Sequence, residues 1–166
     1  MKFGVIGTGV LGSEIARGLV KAGHELMADA AKAEVVFLAI PKNQAMTALA
    51  ELPHWGGRIV VDAMNPVAAL PGQTSSELVA SLLPGARLVK AFSTLPPPFL
   101  WADPLVGEGH RVLFLSGDDD GARETVARLI ETSGFATMNL GTLIKRGKLQ
   151  SYAASKFDVV RFSKSR

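Results

Sequence analysis

KFGVIGTGVLGSEIARGLVKAGHELMADAAKAEVVFLAIP, residues 2–41, is the stretch on which the fold turns. It opens with a short apolar run, KFGVIG, of the kind that forms a buried strand. The next fourteen residues, VLGSEIARGLVKAG, place Leu11, Ile15 and Leu19 at helical spacing and stop at Gly23, a residue suited to a helix C-terminus. Between strand and helix lies Gly7-Thr8-Gly9-Val10-Leu11-Gly12, a G-x-G-x-x-G turn. There Gly7 would permit a tight turn, Gly9 the close approach of a pyrophosphate, and Gly12 the packing of helix on strand. The free N–H groups at the helix start would complete an anion site.

The difficulty follows Gly23. A dinucleotide-binding unit wants a second strand there, ending in an acid for the ribose 2′-hydroxyl or near a basic residue for a 2′-phosphate. HELMA and Asp29 offer themselves, but AAKA then leaves four residues before EVVFLAIP, a second buried strand closed by Pro41. A parallel crossover needs roughly a dozen residues. Either Leu26 to Ala28 is not a strand, or a strand–helix–strand segment is absent. Asp29 is assigned to a helical turn before EVVFLAIP and not to the ribose.

Further along, apolar runs and helical patterns alternate. GRIVVDAMNP, ARLVKAFSTL, HRVLFLSGDD and FATMNLG read as strands; KNQAMTALAELP, TSSELVASLLPG and DDGARETVARLIETSG read as helices, the last with acids at its positive end. The fold class is therefore α/β: a Rossmann-type NAD(P)-binding domain, its sheet mostly parallel with helices on both faces. Residues 1–166 show no repeat and no linker, so they read as one dinucleotide-binding domain.

Composition narrows the classes. The chain is 48% hydrophobic and 20% charged and has no cysteine, which excludes a disulfide framework, a thiolate nucleophile and Cys-bound metal. No apolar run reaches the ~18 residues of a membrane helix, and the N-terminus lacks a signal-peptide pattern, so a cytoplasmic protein without membrane partners is expected. Aromatics are 7% and no nucleic-acid motif occurs. The net charge of +3 is uneven: residues 145–166 hold seven Lys or Arg and one acid, Asp158. That basic segment is expected to be solvated, or to face an anionic ligand. His24, His54 and His110 read as surface histidines, and no acid–base pair stands out.

The stretches GVIGTGVLGSEIARGLVKAGHEL, ADAAKAEVVFLAIP, IVVDAMNP, LPGARLVKAFSTL, ADP at 102–104, VLFLSGDD and LIETSGFATMNLGTL resemble, in order, the NADP-dependent oxidoreductases typified by NADPH:coenzyme F-420 reductases. VVDAMNP and VKAFSTL carry more of that likeness than the glycines. The resemblance implies a strand, helix and strand between GHEL and ADAAKA, so about 25 to 30 residues of the family pattern are absent near Met27. A sheet so stripped would expose an apolar edge beside its first strand, which favours residues present in the protein but not seen over a true deletion. The family's Ser/Thr-Arg pair, which selects NADP, belongs to the absent part.

The resemblance also implies NADP(H) as cofactor, coenzyme F-420 or a flavin as co-substrate, and a homodimer. Open α/β sheets bind ligands beyond the carboxyl ends of their strands. The cofactor-binding residues expected are thus Gly7, Thr8, Gly9, Val10, Leu11 and Gly12; Ala39, Ile40 and Pro41 as an apolar wall; Asn65 and Pro66, the amide serving a carboxamide or ribose; and Lys90, Ala91, Phe92 and Ser93. The family usually has Asn where this chain has Ser93. Lys90 in a buried strand demands a partner or a ligand. TLPPPFLWADPLVGEGH is expected to rim the site, with Phe99 and Trp101 available for stacking. No catalytic side chain is assigned, because hydride transfer between two bound cofactors needs mainly proximity. The function expected is hydride transfer between NADPH and a small-molecule deazaflavin or flavin acceptor. The alternative is a non-catalytic NADP(H)-binding or sensing module. An imine or β-hydroxyacid reductase is disfavoured because few residues follow Gly147, and a whole membrane metalloreductase because no membrane helices follow.

Overall fold

The computed structural model describes residues 1–41, 43–50, 55–65, 73–95, 100, 103–146 and 163–165. In chain order the elements are β1 (Lys2–Ile6), α1 (Val10–Lys21), β2 (Glu25–Leu26), a 3-10 turn (Ala30–Lys32), β3 (Val35–Leu38), α2 (Ala45–Ala50), β4 (Ile59–Asp62), α3 (Ser75–Ser81) and β5 (Arg87–Ala91). There follow β6 (Leu105–Val106), β7 (Gly109–Gly117), α4 (Asp120–Thr132), β8 (Ala136–Asn139), α5 (Leu143–Arg146) and β9 (Ser163–Ser165).

The sheet runs β2-β1-β3-β4-β5-β7-β6, with β8 and β9 also paired to β7. The first five strands of that order are mutually parallel; β7 is antiparallel to β5. Every residue of β3 and β4 is buried, because both faces of a parallel sheet are covered and the strand has no solvent side to alternate towards. One face carries Phe3, Val35, Phe37, Val61 and Val89 beneath Ile15 and Leu19 of α1 and Val126, Leu129 and Ile130 of α4. The other carries Val36, Leu38, Val60 and Leu88 beneath Ala45 and Leu49 of α2, Val79 of α3 and Leu143 of α5.

The tight passage after α1 is resolved without extra chain. Gly23, at φ 86°, ends α1, with His24 N donating to Leu19 O at 3.0 Å. Glu25 and Leu26 then do form a strand, parallel to β1, and the chain runs unbroken to β3. Of the two alternatives, the structure takes the second: the strand–helix–strand unit of the family pattern is absent, Leu26 belongs to the sheet, and the chain passes from it to β3 in eight residues. The crossover rule presumes that the chain must retrace a strand's length. Here Leu26 and Val35 both sit opposite Phe3, on its two sides. The connection therefore has only two strand spacings to cross, about 10 Å, and eight residues reach roughly 26 Å.

Its path is held at both ends by β1. Met27 N donates to Phe3 O (2.8 Å) and Glu34 N to Lys2 O (3.0 Å). In between, the 3-10 turn crosses β1 where Gly4 has no side chain; a Cβ there would lie 2.7 Å from both Cα and Cβ of Ala30. Asp29 caps that turn, accepting from Ala31 N at 3.0 Å, as its assignment away from the ribose anticipated. With α1 on one face and this turn on the other, the doubly wound arrangement survives with one turn in place of a crossover helix. The edge beside β1 is two residues long, too short to template another chain.

Two short pairings not read from the sequence lie at the far side of the sheet. Ser163–Ser165, in the basic segment, is β9, antiparallel to Gly109–Arg111. Leu105–Val106, placed in a rim, forms a hairpin with β7 through Gly107.

The Gly4 contact yields a test. Gly4→Ala should lower the unfolding free energy by about 1–3 kcal/mol through overpacking against Ala30. Urea denaturation should show a lower midpoint at unchanged slope; an unchanged midpoint would mean that the turn does not pack on β1.

Candidate functional site

The carboxyl ends of β1, β3, β4 and β5 lie side by side, which brings together stretches far apart in sequence. The glycine turn leaves β1 at Gly7, whose φ of 122° excludes most side chains. A Cβ on Gly7 would come within 2.3 Å of Ala39 O, so the end of β1 rests directly on the end of β3. A Cβ on Gly12 would come within 2.2 Å of Gly7 O, which is the helix-on-turn packing read from sequence. Gly9 is different: nothing lies within 4 Å of where its Cβ would be.

Gly9 is the N-cap of α1, and no side chain caps that terminus nor does an acid occupy the first turn. The contrast with the other helices is informative. Thr74 and Glu77 form a reciprocal capping box on α3, and Asp119 caps α4. The leading N–H groups of α1 are thus left for solvent or a ligand. They border a cleft of about 420 Å³ lined by Gly7, Thr8, Gly12 and Ser13 on one side and Leu26, Met27 and Ala28 on the other. Among the described residues lining it there is no cation and no carboxylate. The open Gly9 and the uncapped amides fit a dinucleotide's pyrophosphate.

At the next strand ends, Ala39 and Ile40 are buried and Pro41 is exposed. Asn65 is the first exposed residue after β4. Pro66 lies outside the described residues, as do His54, Phe99 and Trp101. At the end of β5, Ala91, Phe92 and Ser93 are buried. Phe92 has φ 62°, a left-handed conformation uncommon for a bulky residue. Its ring is held edge-on to Phe37 (5.5 Å between centroids), which is edge-on to Phe3 (6.1 Å), tying β5, β3 and β1 together.

Lys90 does not present itself to the cleft. Its Nζ is buried on the α2–α3 face, donating to Asp62 Oδ2 (3.2 Å) and Met64 O (2.5 Å). Asp62 also accepts from Ser76 Oγ (2.9 Å) and Met64 N (3.0 Å). The expectation of Lys90 as a direct cofactor contact is therefore corrected to a buried ion pair. Asp62 and Ser76 were missed; the readable signal was one acid in IVVDAM and one base in RLVKAF, each embedded in apolar strands.

The 103–110 part of the expected rim lies elsewhere. Pro104 borders a 290 Å³ cavity with Arg17 and Lys21, in the last turns of α1, and with Thr132, Ser133 and Gly134. That is the end of α1 opposite the glycine turn. His24 lies there too, its Nε2 3.0 Å from Thr132 Oγ1. Burial of its ring, then the nearby terminal ammonium, lowers its pKa below the usual histidine value. His110 Nδ1 sits 2.7 Å from Gly134 O. Neither described histidine faces the cleft. Among the described residues no cluster of three His, Asp or Glu is placed to hold a metal ion, and no helix is long and apolar enough to cross a membrane.

Comparison with known proteins agrees with this geometry. Residues 27–66 match the family model described as NADP oxidoreductase, coenzyme F420-dependent. The crystal structure of a hypothetical protein, SMa0349 of Sinorhizobium meliloti, is 34% identical, with a TM-score of 0.83 over 100% of this chain and 96% of that one. A protein of Arthrobacter sp. FB24, carrying the provisional name of an F420-dependent NADP reductase, is 25% identical, with a TM-score of 0.72 over 89% of this chain and 87% of that one. The rat metalloreductase STEAP3 is 28% identical over 121 residues, which is 71% of this chain but only 24% of that protein. The matched segment 27–66 contains the shortened crossover, the Ala39–Pro41 strand end and the Asp62–Asn65 turn, and over that segment the chain is similar to the family of coenzyme F420-dependent NADP oxidoreductases.

Proposed function

We propose that this protein transfers hydride between NADPH and a second ring system, a deazaflavin or flavin, bound beside it at the strand ends. The observation that carries the reading is the uncapped start of α1, open at Gly9, set at the ends of four adjacent parallel strands. The N–H groups at Val10 and Leu11 would hold the pyrophosphate, with Thr8 and Gly12 shaping the turn. Ala39, Ile40 and Pro41 would back the nicotinamide, and Asn65 would orient its carboxamide or ribose. Ala91, Phe92 and Ser93 would close the far side.

The nicotinamide supplies the hydride; the protein's task is to bind, align and exclude water. This division of labour suits a site whose described residues include no histidine and no paired acid. The acceptor of the Arthrobacter protein's name supports a deazaflavin, and a homodimer is the assembly the resemblance implies.

The test is direct. NADPH is titrated into the protein by nicotinamide fluorescence, then oxidised deazaflavin or FMN is added without oxygen. Oxidation of NADPH with equal reduction of acceptor is expected. Binding without turnover of either acceptor would favour a sensing module, and no binding at all would remove the cofactor reading.

Gly9 and Gly12 should separate on substitution. Gly9→Ala meets no atom, so its stability should stay within about 1 kcal/mol of wild type, while NADPH affinity falls about tenfold or more through blocked pyrophosphate approach. Gly12→Ala, pressed on a backbone oxygen, should lose both stability and binding. Thermal melts alongside fluorescence titration read both quantities; equal behaviour of the two variants would contradict the assignment.

A further inference from the structure

The buried charges at the sheet's upper end have no place in the chemistry proposed so far, and their position is specific. Ile6, Leu38, Asp62, Lys90 and Ser116 are successive register partners across β1, β3, β4, β5 and β7. This row is the last of the ladder in β1, β3 and β4, directly beneath the strand-end turns. Its Asp62 and Lys90 side chains are 1% and 3% exposed. Two rows lower, on the same face, the partners are Val60 and Leu88.

An ion pair so placed adds little net stability, since desolvation offsets the attraction and an apolar pair would serve a core as well. Among the described residues the two charges together hold Met64. Met64 N donates to Asp62 Oδ1 at 3.0 Å, and Met64 O accepts from Lys90 Nζ at 2.5 Å. Both backbone groups of Met64 are thereby fixed, and the following residue is Asn65, where the chain re-emerges to solvent. Ser76 Oγ, donating to Asp62 Oδ2 at 2.9 Å, ties the start of α3 to the same carboxylate. On the opposite face the left-handed Phe92, two residues after Lys90, is locked against Phe37.

We propose that the Lys90–Asp62 pair is a positioning device for the nicotinamide half of the cofactor: by clamping Met64 it sets the direction of Asn65 relative to the Ala39–Pro41 wall. Lys90 and Asp62 touch no ligand themselves. The inference rests on the reading of these strand ends as the nicotinamide side. It predicts that disturbing the pair affects only the part of the cofactor that lies over β4 and β5, leaving the glycine turn's half unchanged.

Two ligands separate the halves: NADPH, and 2′-phospho-ADP-ribose, which lacks the nicotinamide. Both are titrated into wild type and into the double variant Lys90→Met/Asp62→Asn, which removes both charges so that neither is left buried alone. The NADPH dissociation constant is expected to rise about tenfold while that of the nicotinamide-free ligand changes less than about twofold. Equal loss for both ligands, or no loss for either, in a folded variant overturns the proposal. Should the double variant fail to fold by circular dichroism, Ser76→Ala decides: it removes one neutral hydrogen bond to Asp62, and a selective loss of roughly threefold for NADPH is expected. No selectivity there overturns the proposal equally. Failure of wild type to bind either ligand is a separate result, which removes the cofactor reading beneath it.

Discussion

The absence of one side chain, at Gly4, sets the geometry of the dinucleotide half of this protein. Because β1 carries no Cβ at that point, Ala30 can pass over it at van der Waals contact. The chain can then leave β2 on one side of Phe3 and enter β3 on the other within eight residues. Everything downstream in the sheet follows from that entry. β3 pairs with β1 in the register that puts Ala39 against Gly7, β4 and β5 add in sequence, and their carboxyl ends line up with the glycine turn. A larger residue at position 4 would push the crossover off the sheet and displace the Met27–Ala28 wall of the cleft.

The cleft itself is built by omission as much as by provision. Three helices show how this chain treats helix starts: α3 and α4 close theirs with Thr74, Glu77 and Asp119, whereas α1 leaves its own open. Towards the other end of the site the sheet does the reverse, placing an ion pair beneath the turn that bears Asn65 and an aromatic lock beneath Phe92. The flexible demand, accommodating a phosphate chain, falls on bare backbone. In the proposed function the stringent demand, aligning a reactive ring, falls on two turns, one held by the ion pair on one face of the sheet and one by the aromatic contact on the other.

Much of this was legible in the residues. The G-x-G-x-x-G turn, the helix stop at Gly23 and the apolar strands of residues 35–38, 59–62 and 87–91 follow from periodicity and glycine chemistry, and the structure bears them out. The crossover misled because a general rule about length was applied without register: nothing in HELMADAAKA says that Leu26 and Val35 share one neighbour. Lys90 misled because a lone buried cation demands a partner, and the partner, Asp62, lies 28 positions away on a strand whose alignment periodicity cannot supply. The hairpin at Leu105–Val106 and the strand at Ser163–Ser165 are two and three residues long, pairings that tertiary contact decides and local pattern does not.

The measurement that bears most directly on this account is a crystal structure of the protein with NADPH. The account predicts the pyrophosphate on the N–H groups at the start of α1 beside Gly9, and the nicotinamide against Ala39 and Ile40 with Asn65 within hydrogen-bond reach of its carboxamide or ribose. A cofactor bound away from the glycine turn, or one whose nicotinamide points past Met27 towards the β2 edge, would contradict it.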